Sequence, residues 1–307
     1  MNETETAVTR ESELAAPAAD GVLLAGTLTL PAGPGPHPAV LCLPGSGKLD
    51  RDSNAGKLRM DLGRPLAATL ARHGIASFRY DRRGVGATPG DWHTVGFLDN
   101  RADADAALRA LRTHPEVRGE SVAVLGHSEG AVHAMWLAAH TPTAAAVLLA
   151  GYARPGEAAV RWQGSRLAAS APRLIRPLLP ILRRAAAKQL ARVAATTTDT
   201  TRVGGVRVNA KWWREQLAYD PRADLSRIRV PVLAITGEKD VQVDPADLDV
   251  IAGLVPGARI HRAPDLTHVL RRTDGPGTVS TYRGLLRRPV ENELVTGIAR
   301  WLAERLG

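Results

Sequence analysis

The run Ser121-Val122-Ala123-Val124-Leu125-Gly126-His127-Ser128-Glu129-Gly130-Ala131 joins a short apolar stretch, a Gly-x-Ser-x-Gly pentapeptide and the start of an Ala-rich helical pattern. It reads as a strand, a sharp turn and a helix. Such a turn holds Ser128 in a strained backbone conformation with its hydroxyl projecting from the sheet edge. Gly126 and Gly130 remove the Cβ atoms that would collide as strand and helix close around it. The backbone N–H of Glu129 then falls at a helix N-terminus, where unpaired donors and the helix dipole favour developing negative charge. A serine hydroxyl beside that donor suits attack on a carbonyl and stabilisation of an oxyanion. An ordinary glycine-rich turn would carry the same pentapeptide, so the flanking strand and helix are what favour the catalytic reading.

Upstream, residues 6–15 and 22–30 pair across Asp20-Gly21, a dipeptide suited to a hairpin. Residues 39–43 read as a buried strand ending in Pro44-Gly45-Ser46-Gly47, followed by a polar loop over 48–54. A helix is expected over 61–73, stopped by Gly74, then a strand over 75–80 and a turn over 81–86. Asp99 is placed as the cap of a helix over 101–113, with Asp103 and Asp105 in its first turns. After the central turn, a helix to His140 and an apolar run over 144–150 continue the rhythm. Alternation at this spacing implies βαβ crossovers and a mostly parallel sheet covered on both faces.

The rhythm breaks between Gly151 and Asp224. That stretch carries Pro172, Pro177 and Pro180, lacks a convincing strand, and is too long for a structureless loop. It reads as a helical cap, so the expected division is a core of residues 1–151 and 225–307 with a cap of 152–224. A strand over 229–235, a helix over 245–254, a strand over 258–262 and a closing amphipathic helix over 291–306 complete the chain.

A serine hydroxyl needs a base, and the base needs an orienting acid. Asp240, in Gly237-Glu238-Lys239-Asp240, falls just beyond the C-terminal end of a strand, the edge where open α/β sheets place ligands. Asp244 and Asp247 are rivals with structural explanations of their own, as a helix N-cap before Pro245 and a first-turn carboxylate. His268, in Leu266-Thr267-His268, is the histidine downstream of Asp240 in a loop position, since His261 belongs to a strand. The second oxyanion donor is assigned to the N–H of Ser46, with Gly47 as the alternative; a plain tight turn would look the same.

The chain resembles the serine-dependent α/β-hydrolases, and within them the esterase-like members of the serine aminopeptidase and dienelactone-hydrolase branches. Four signatures carry the resemblance: Pro44-Gly45-Ser46-Gly47 with Asp50-Arg51-Asp52, Arg79-Tyr80-Asp81-Arg82-Arg83-Gly84-Val85-Gly86, Gly126-His127-Ser128-Glu129-Gly130, and Gly237-Glu238-Lys239-Asp240 with Leu266-Thr267-His268. In this fold the triad follows in the order Ser, Asp, His. The resemblance implies an acyl-serine mechanism with no metal or organic cofactor and does not by itself identify a substrate; the expected activity is hydrolysis of a small or medium acyl ester or thioester, a small-molecule acyl substrate. Rival readings are a peptidase, an acyltransferase or a carbon–carbon bond hydrolase using the same acyl-serine, and a non-catalytic ligand receptor. The loop charges Asp50, Arg51, Asp52, Asp81, Arg82 and Arg83 read as an ion-pair and turn network near the site.

Composition narrows the partners. The balance of 40 Lys and Arg against 31 Asp and Glu gives +9, yet only 4% of residues are aromatic, too few and scattered for a base-stacking surface, so nucleic acid is not expected. No run is long and apolar enough for a membrane span, and the polar, acidic start lacks the apolar region of a secretory signal. The single Cys42 excludes an intrachain disulfide and fits a reducing, cytoplasmic setting; it reads as a buried structural thiol. Residues 158–198 hold no Asp or Glu but contain Arg161, Arg166, Arg173, Arg176, Arg183, Arg184, Lys188 and Arg192, interleaved with Leu and Ile. Such a segment suits an anionic substrate or a membrane surface. The preferred expectation is that the Arg residues solvate the outer face while Leu and Ile roof an apolar acyl pocket. The missing carboxylates tilt against an aminopeptidase, whose substrate ammonium wants a negative partner, although Glu157, Asp199 and Glu215 remain available.

Overall fold

The computed structural model describes residues 9–169 and 177–307. Its first elements, β1 (Arg10–Pro17) and β2 (Leu23–Leu30), form an antiparallel hairpin in register from Arg10 opposite Leu30 to Pro17 opposite Leu23. Gly21, with φ of 83°, supplies the left-handed residue of the turn. The strand expected from Thr6 begins at Arg10; its first expected residues lie outside the described ones.

Next come β3 (His37–Leu43), a two-residue hairpin of β4 (Asn54–Ala55) and β5 (Leu58–Arg59), α1 (Gly63–Arg72), β6 (Ala76–Tyr80), α2 (Phe97–Arg112), β7 (Val117–His127), α3 (Glu129–His140) and β8 (Ala146–Leu149). An insertion then carries α4 (Gly156–Ala169), α5 (Leu179–Ala194), β9 (Thr200–Val203), β10 (Val206–Asn209), α6 (Ala210–Ala218) and α7 (Arg222–Leu225). The chain returns through β11 (Val232–Gly237), α8 (Asp247–Leu254), β12 (Arg259–Ala263), α9 (Val279–Leu285) and α10 (Asn292–Leu306).

The central sheet has eight strands in the order β1-β2-β6-β3-β7-β8-β11-β12. β2 is antiparallel to both neighbours, and the ladders from β6 to β12 are parallel. Side chains alternate across β3: Leu41 and Leu43 join the core under α2, α3 and α8, while Val40 and Cys42 join the core under α1 and α10. Both faces are therefore covered, which is why β3, β8 and the second half of β7, residues 122–125, read as apolar runs. Cys42 is buried and desolvation pushes its thiol up to about 12, as a structural thiol requires.

Several expectations are corrected. Asp99 does not precede its helix: α2 begins at Phe97, and Asp99 reaches back to accept the Gly96 N–H at 2.7 Å. The polar loop over 48–54 is largely internal, because Asp50 accepts the N–H groups of Asp52 and Asn54 and the side chains of Asp52, Ser53 and Asn54 are buried. The helix expected from Pro245 begins at Asp247. The insertion contains the β9–β10 hairpin, turned by Gly204-Gly205, and so is not wholly helical. Of the aliphatic residues expected to roof a pocket, Leu178, Ile181 and Leu182 face solvent, whereas Leu179 and Leu190 are half-buried and Leu174 and Ile175 lie outside the described residues. Pro172, Arg173 and Arg176 lie outside the described residues.

Candidate active site

Ser128 sits between β7 and α3 with φ of 55° and ψ of −118°, a conformation an L-residue adopts only when its surroundings enforce it. Its N–H is tied to the Leu149 carbonyl of β8 at 2.8 Å. A Cβ on Gly126 would overlap the Gly130 carbonyl, and one on Gly130 would overlap the carbonyls of Leu43 and Pro44. Glycine at both positions therefore lets β7 turn into α3 and lets α3 start against the loop that follows β3. A Cβ at Gly45 would lie 3.4 Å from that of Ser128, so the turn carrying Ser46 and Gly47 adjoins the serine. Ser46 is exposed, and Gly47 has φ of 98°.

Asp240 and His268 come together directly. The loops after β11 and β12 are laced by Glu238 N–H to Ala263 O at 2.9 Å and Lys239 N–H to Leu266 O at 3.1 Å. Within that frame His268 Nδ1 lies 2.8 Å from Asp240 Oδ2, both residues buried. A carboxylate accepts, so Nδ1 carries the hydrogen, and in the neutral ring the lone pair is on Nε2. The other Asp240 oxygen accepts the N–H groups of Gln242 at 2.7 Å and Val243 at 2.9 Å, which fixes the carboxylate plane. α9, absent from the sequence expectations, buries Tyr282 and Leu285 against Val241 and Val269, the neighbours of the acid and the base. The spacing of Val279, Tyr282, Leu285 and Leu286 is the signal that would have found it.

His127 links the serine turn to the His268 loop. Its Nε2 lies 2.9 Å from the His268 carbonyl, and the two rings are 4.9 Å apart. Since that carbonyl accepts, His127 Nε2 donates. Burial, reinforced by the neighbouring His268, pushes the ring down to about 3, so it is a neutral donor. The rivals Asp244 and Asp247 are held elsewhere, by Arg154 at 2.7 and 2.8 Å. Burial raises Asp247 to about 6 despite that guanidinium.

The Glu129 side chain was not anticipated. It is 2% exposed; Oε1 lies 3.1 Å from Arg82 Nη2, 3.2 Å from Asn100 Nδ2 and 3.1 Å from His133 Nε2, and Oε2 accepts from Trp212 Nε1 at 3.1 Å. Burial works against this carboxylate, yet Arg82, His133 and Trp212 outweigh it and bring the group down to about 2. The same Arg82 nitrogen donates to the Pro44 carbonyl at 3.1 Å. Arg82 thus ties the start of the β3 loop to the start of α3. The spacing of Glu129 and His133 was readable as an i,i+4 pair; the partners from distant segments were not.

The remaining loop charges pair as expected: Arg51 with Asp81 at 2.7 Å, Arg64 with Asp52 at 2.9 Å, Arg79 with Asp52 and Glu11, and Arg83 with Asp103 at 2.7 Å. Above the serine turn Phe97, Val132, Tyr152 and Val243 form a small apolar cluster, against which Ala159, Trp212 and Tyr219 of the insertion pack. Insertion and core are also joined by Leu98 N–H to Glu215 at 2.8 Å and Lys211 to Asp99 at 2.6 Å.

A family model described as serine aminopeptidase, S33, matches residues 61–271. The chain is 27% identical over 285 residues to Esterase EstD of Thermotoga maritima, a match covering 92% of this chain and 66% of that protein, so the chain spans about two thirds of that curated relative. Among solved structures, the 2,6-dihydroxy-pseudo-oxynicotine hydrolase aligns with a TM-score of 0.60 at 20% identity, over 98% of this chain and 69% of that one. The esterase domain of a Rhodothermus marinus protein aligns with a TM-score of 0.60 at 18% identity, over 97% of this chain and all (100%) of that one. Est1E of Butyrivibrio proteoclasticus, solved with ferulic acid, aligns with a TM-score of 0.63 at 15% identity, over 95% and 98% of the two chains. These structures share the fold.

Proposed function

The chain belongs to the serine aminopeptidase S33 family of α/β-hydrolases, and from that premise we propose that it cleaves a small or medium acyl ester or thioester through an acyl-enzyme on Ser128. The observation that carries this reading is the buried His268–Asp240 pair at 2.8 Å, whose loop is tied to the serine turn by His127 Nε2, 2.9 Å from the His268 carbonyl. Ser128 Oγ attacks the acyl carbonyl while His268 Nε2 takes its proton, and Asp240 stabilises the imidazolium through Nδ1–H. The tetrahedral oxyanion is received by the N–H of Glu129, unpaired at the first position of α3, and by that of Ser46, with Gly47 as the alternative. Collapse expels the alcohol or thiol with the proton from His268. Water then enters by the same route in reverse and frees the acid.

An ester fits better than an aminoacyl amide, because most of the candidate carboxylates are already committed. Glu129 is neutralised by Arg82, Asp244 and Asp247 by Arg154, Glu157 pairs with Arg161, and Glu215 accepts from Leu98 N–H. We assign residues 152–224 the role of a cap, with Trp212 and Tyr219 rather than the α5 aliphatics contributing its apolar inner side.

Ser128→Ala tests the assignment. Turnover of an activated chromogenic ester should fall by at least about 10⁴-fold, with far-UV circular dichroism and melting temperature unchanged. Retention of most of the activity by the folded variant would reject Ser128 as nucleophile.

A further inference from the structure

Among the described residues, nothing packs on one amphipathic face of α5. Val193 is its buried residue. Leu178, just before the helix, and Ile181 and Leu182 within it are 52%, 65% and 51% exposed. Their i, i+3, i+4 spacing puts them on one stripe facing solvent. Arg184, Lys188 and Arg192 follow at i, i+4, i+8 along the flank of that stripe, all exposed. Residues 158–198 contain no acidic side chain to neutralise them, and among the described residues these cations have no carboxylate partner.

We propose that this face of α5 seats the protein on the surface of an anionic lipid bilayer, with the aliphatic stripe in the acyl boundary and the cations among the headgroup phosphates. Three considerations select that occupant. Among the described residues no helix is long and apolar enough to cross a membrane, so the contact is interfacial. A second copy packed face to face would set one basic stripe against another, because a two-fold contact matches a surface with itself. A nucleic acid would use the cations but leave the aliphatic stripe in water. α5 also packs on α6, whose Trp212 reaches Glu129, so the attachment lies on the cap side of the serine turn. The proposal does not depend on which ester is cleaved.

Flotation with vesicles tests it, using the full chain, phosphatidylcholine vesicles, and vesicles of phosphatidylcholine mixed with phosphatidylglycerol. The protein should float with the mixed vesicles at low salt, remain behind with phosphatidylcholine alone, and be released as salt rises. Arg184→Glu with Lys188→Glu should lower the partition coefficient by about tenfold or more. Ile181→Ser with Leu182→Ser, which only makes an exposed surface more polar, should lower it too; melting curves report folding for both pairs. No flotation, equal flotation with both vesicle types, or wild-type flotation of both folded variants would overturn the proposal. So would a solution dimer that the Ile181→Ser, Leu182→Ser pair dissociates while vesicles capture nothing.

Discussion

Arg82 and Glu129 pose an electrostatic problem at the residue scale. The residue whose N–H we propose receives the oxyanion carries a carboxylate of its own, and that charge is tolerable only because Arg82 lies 3.1 Å away and His133, Asn100 and Trp212 donate to it. Arg82→Met leaves the buried carboxylate without its counter-charge, with only the donors from Asn100, His133 and Trp212, and releases the Pro44 carbonyl. It should lower kcat by roughly 10–10² with a smaller change in KM, and destabilise the fold by about 3–5 kcal/mol. Adding Glu129→Gln should restore part of both losses; a double variant as impaired as the sum of the singles would show that the pair is not coupled. His127 gives a pH prediction. The unfolded ring takes up a proton below 6.5, whereas the folded ring resists until about 3, so stability rises with pH across that window and is flat above it. Between pH 7 and pH 5 this group should cost the native state about 2 kcal/mol. Urea unfolding of His127→Asn at the two pH values should therefore give a drop smaller than the wild-type drop by that amount. Equal drops would contradict the neutral, buried imidazole. Neither role was legible in the chain, because both depend on partners from other segments. Ser128, Asp240 and His268 were legible as candidates because each follows a strand at a position its local sequence marks.

The elements show where reading by pattern succeeds. β3, β8 and residues 122–125 of β7 are apolar runs that the sheet buries on both faces, and the helices between them keep their stops, as with Gly74 after α1 at φ of 76°. The insertion gives no such run. β9 and β10 are short, half-exposed and rich in Thr and Arg, and only Gly204-Gly205 between Val203 and Val206 marked the hairpin. α9 escaped for a related reason: at seven residues it is held by contacts with Val241 and Val269 and not by a long amphipathic pattern. The end of the β9–β10 hairpin fixes the next element. Asn209 accepts the Trp212 N–H at 2.9 Å, capping α6, and donates to the carbonyls of Trp92 at 2.8 Å and Val95 at 2.7 Å. Asn209→Ala removes a cap and leaves a buried carbonyl unsatisfied, so it should destabilise by about 2 kcal/mol and speed hydrogen exchange of the Trp212 indole. An unchanged melting temperature with unchanged exchange would mean that α6 is held by packing alone.

For the whole molecule, the net charge of +9 is unevenly distributed: the acids around the serine turn are paired, and residues 158–198 of the insertion sequence carry a basic excess. A long-range positive potential raises the encounter rate of anionic ligands and leaves neutral ones unaffected, and salt screens it over a Debye length of about 8–10 Å. Steering acts on association, so it should appear in kcat/KM and not in kcat. Paired chromogenic esters of equal chain length isolate the effect, one neutral and one ending in a free carboxylate. Raising ionic strength from low to physiological should cut kcat/KM for the anionic ester by about threefold or more, while the neutral ester stays flat and kcat holds for both. An ester ending in an ammonium should respond in the opposite direction. Parallel salt responses for all three would place the basic surface out of electrostatic reach of the substrate's path and leave the apolar cluster of Phe97, Val132, Tyr152 and Trp212 as the determinant of what enters.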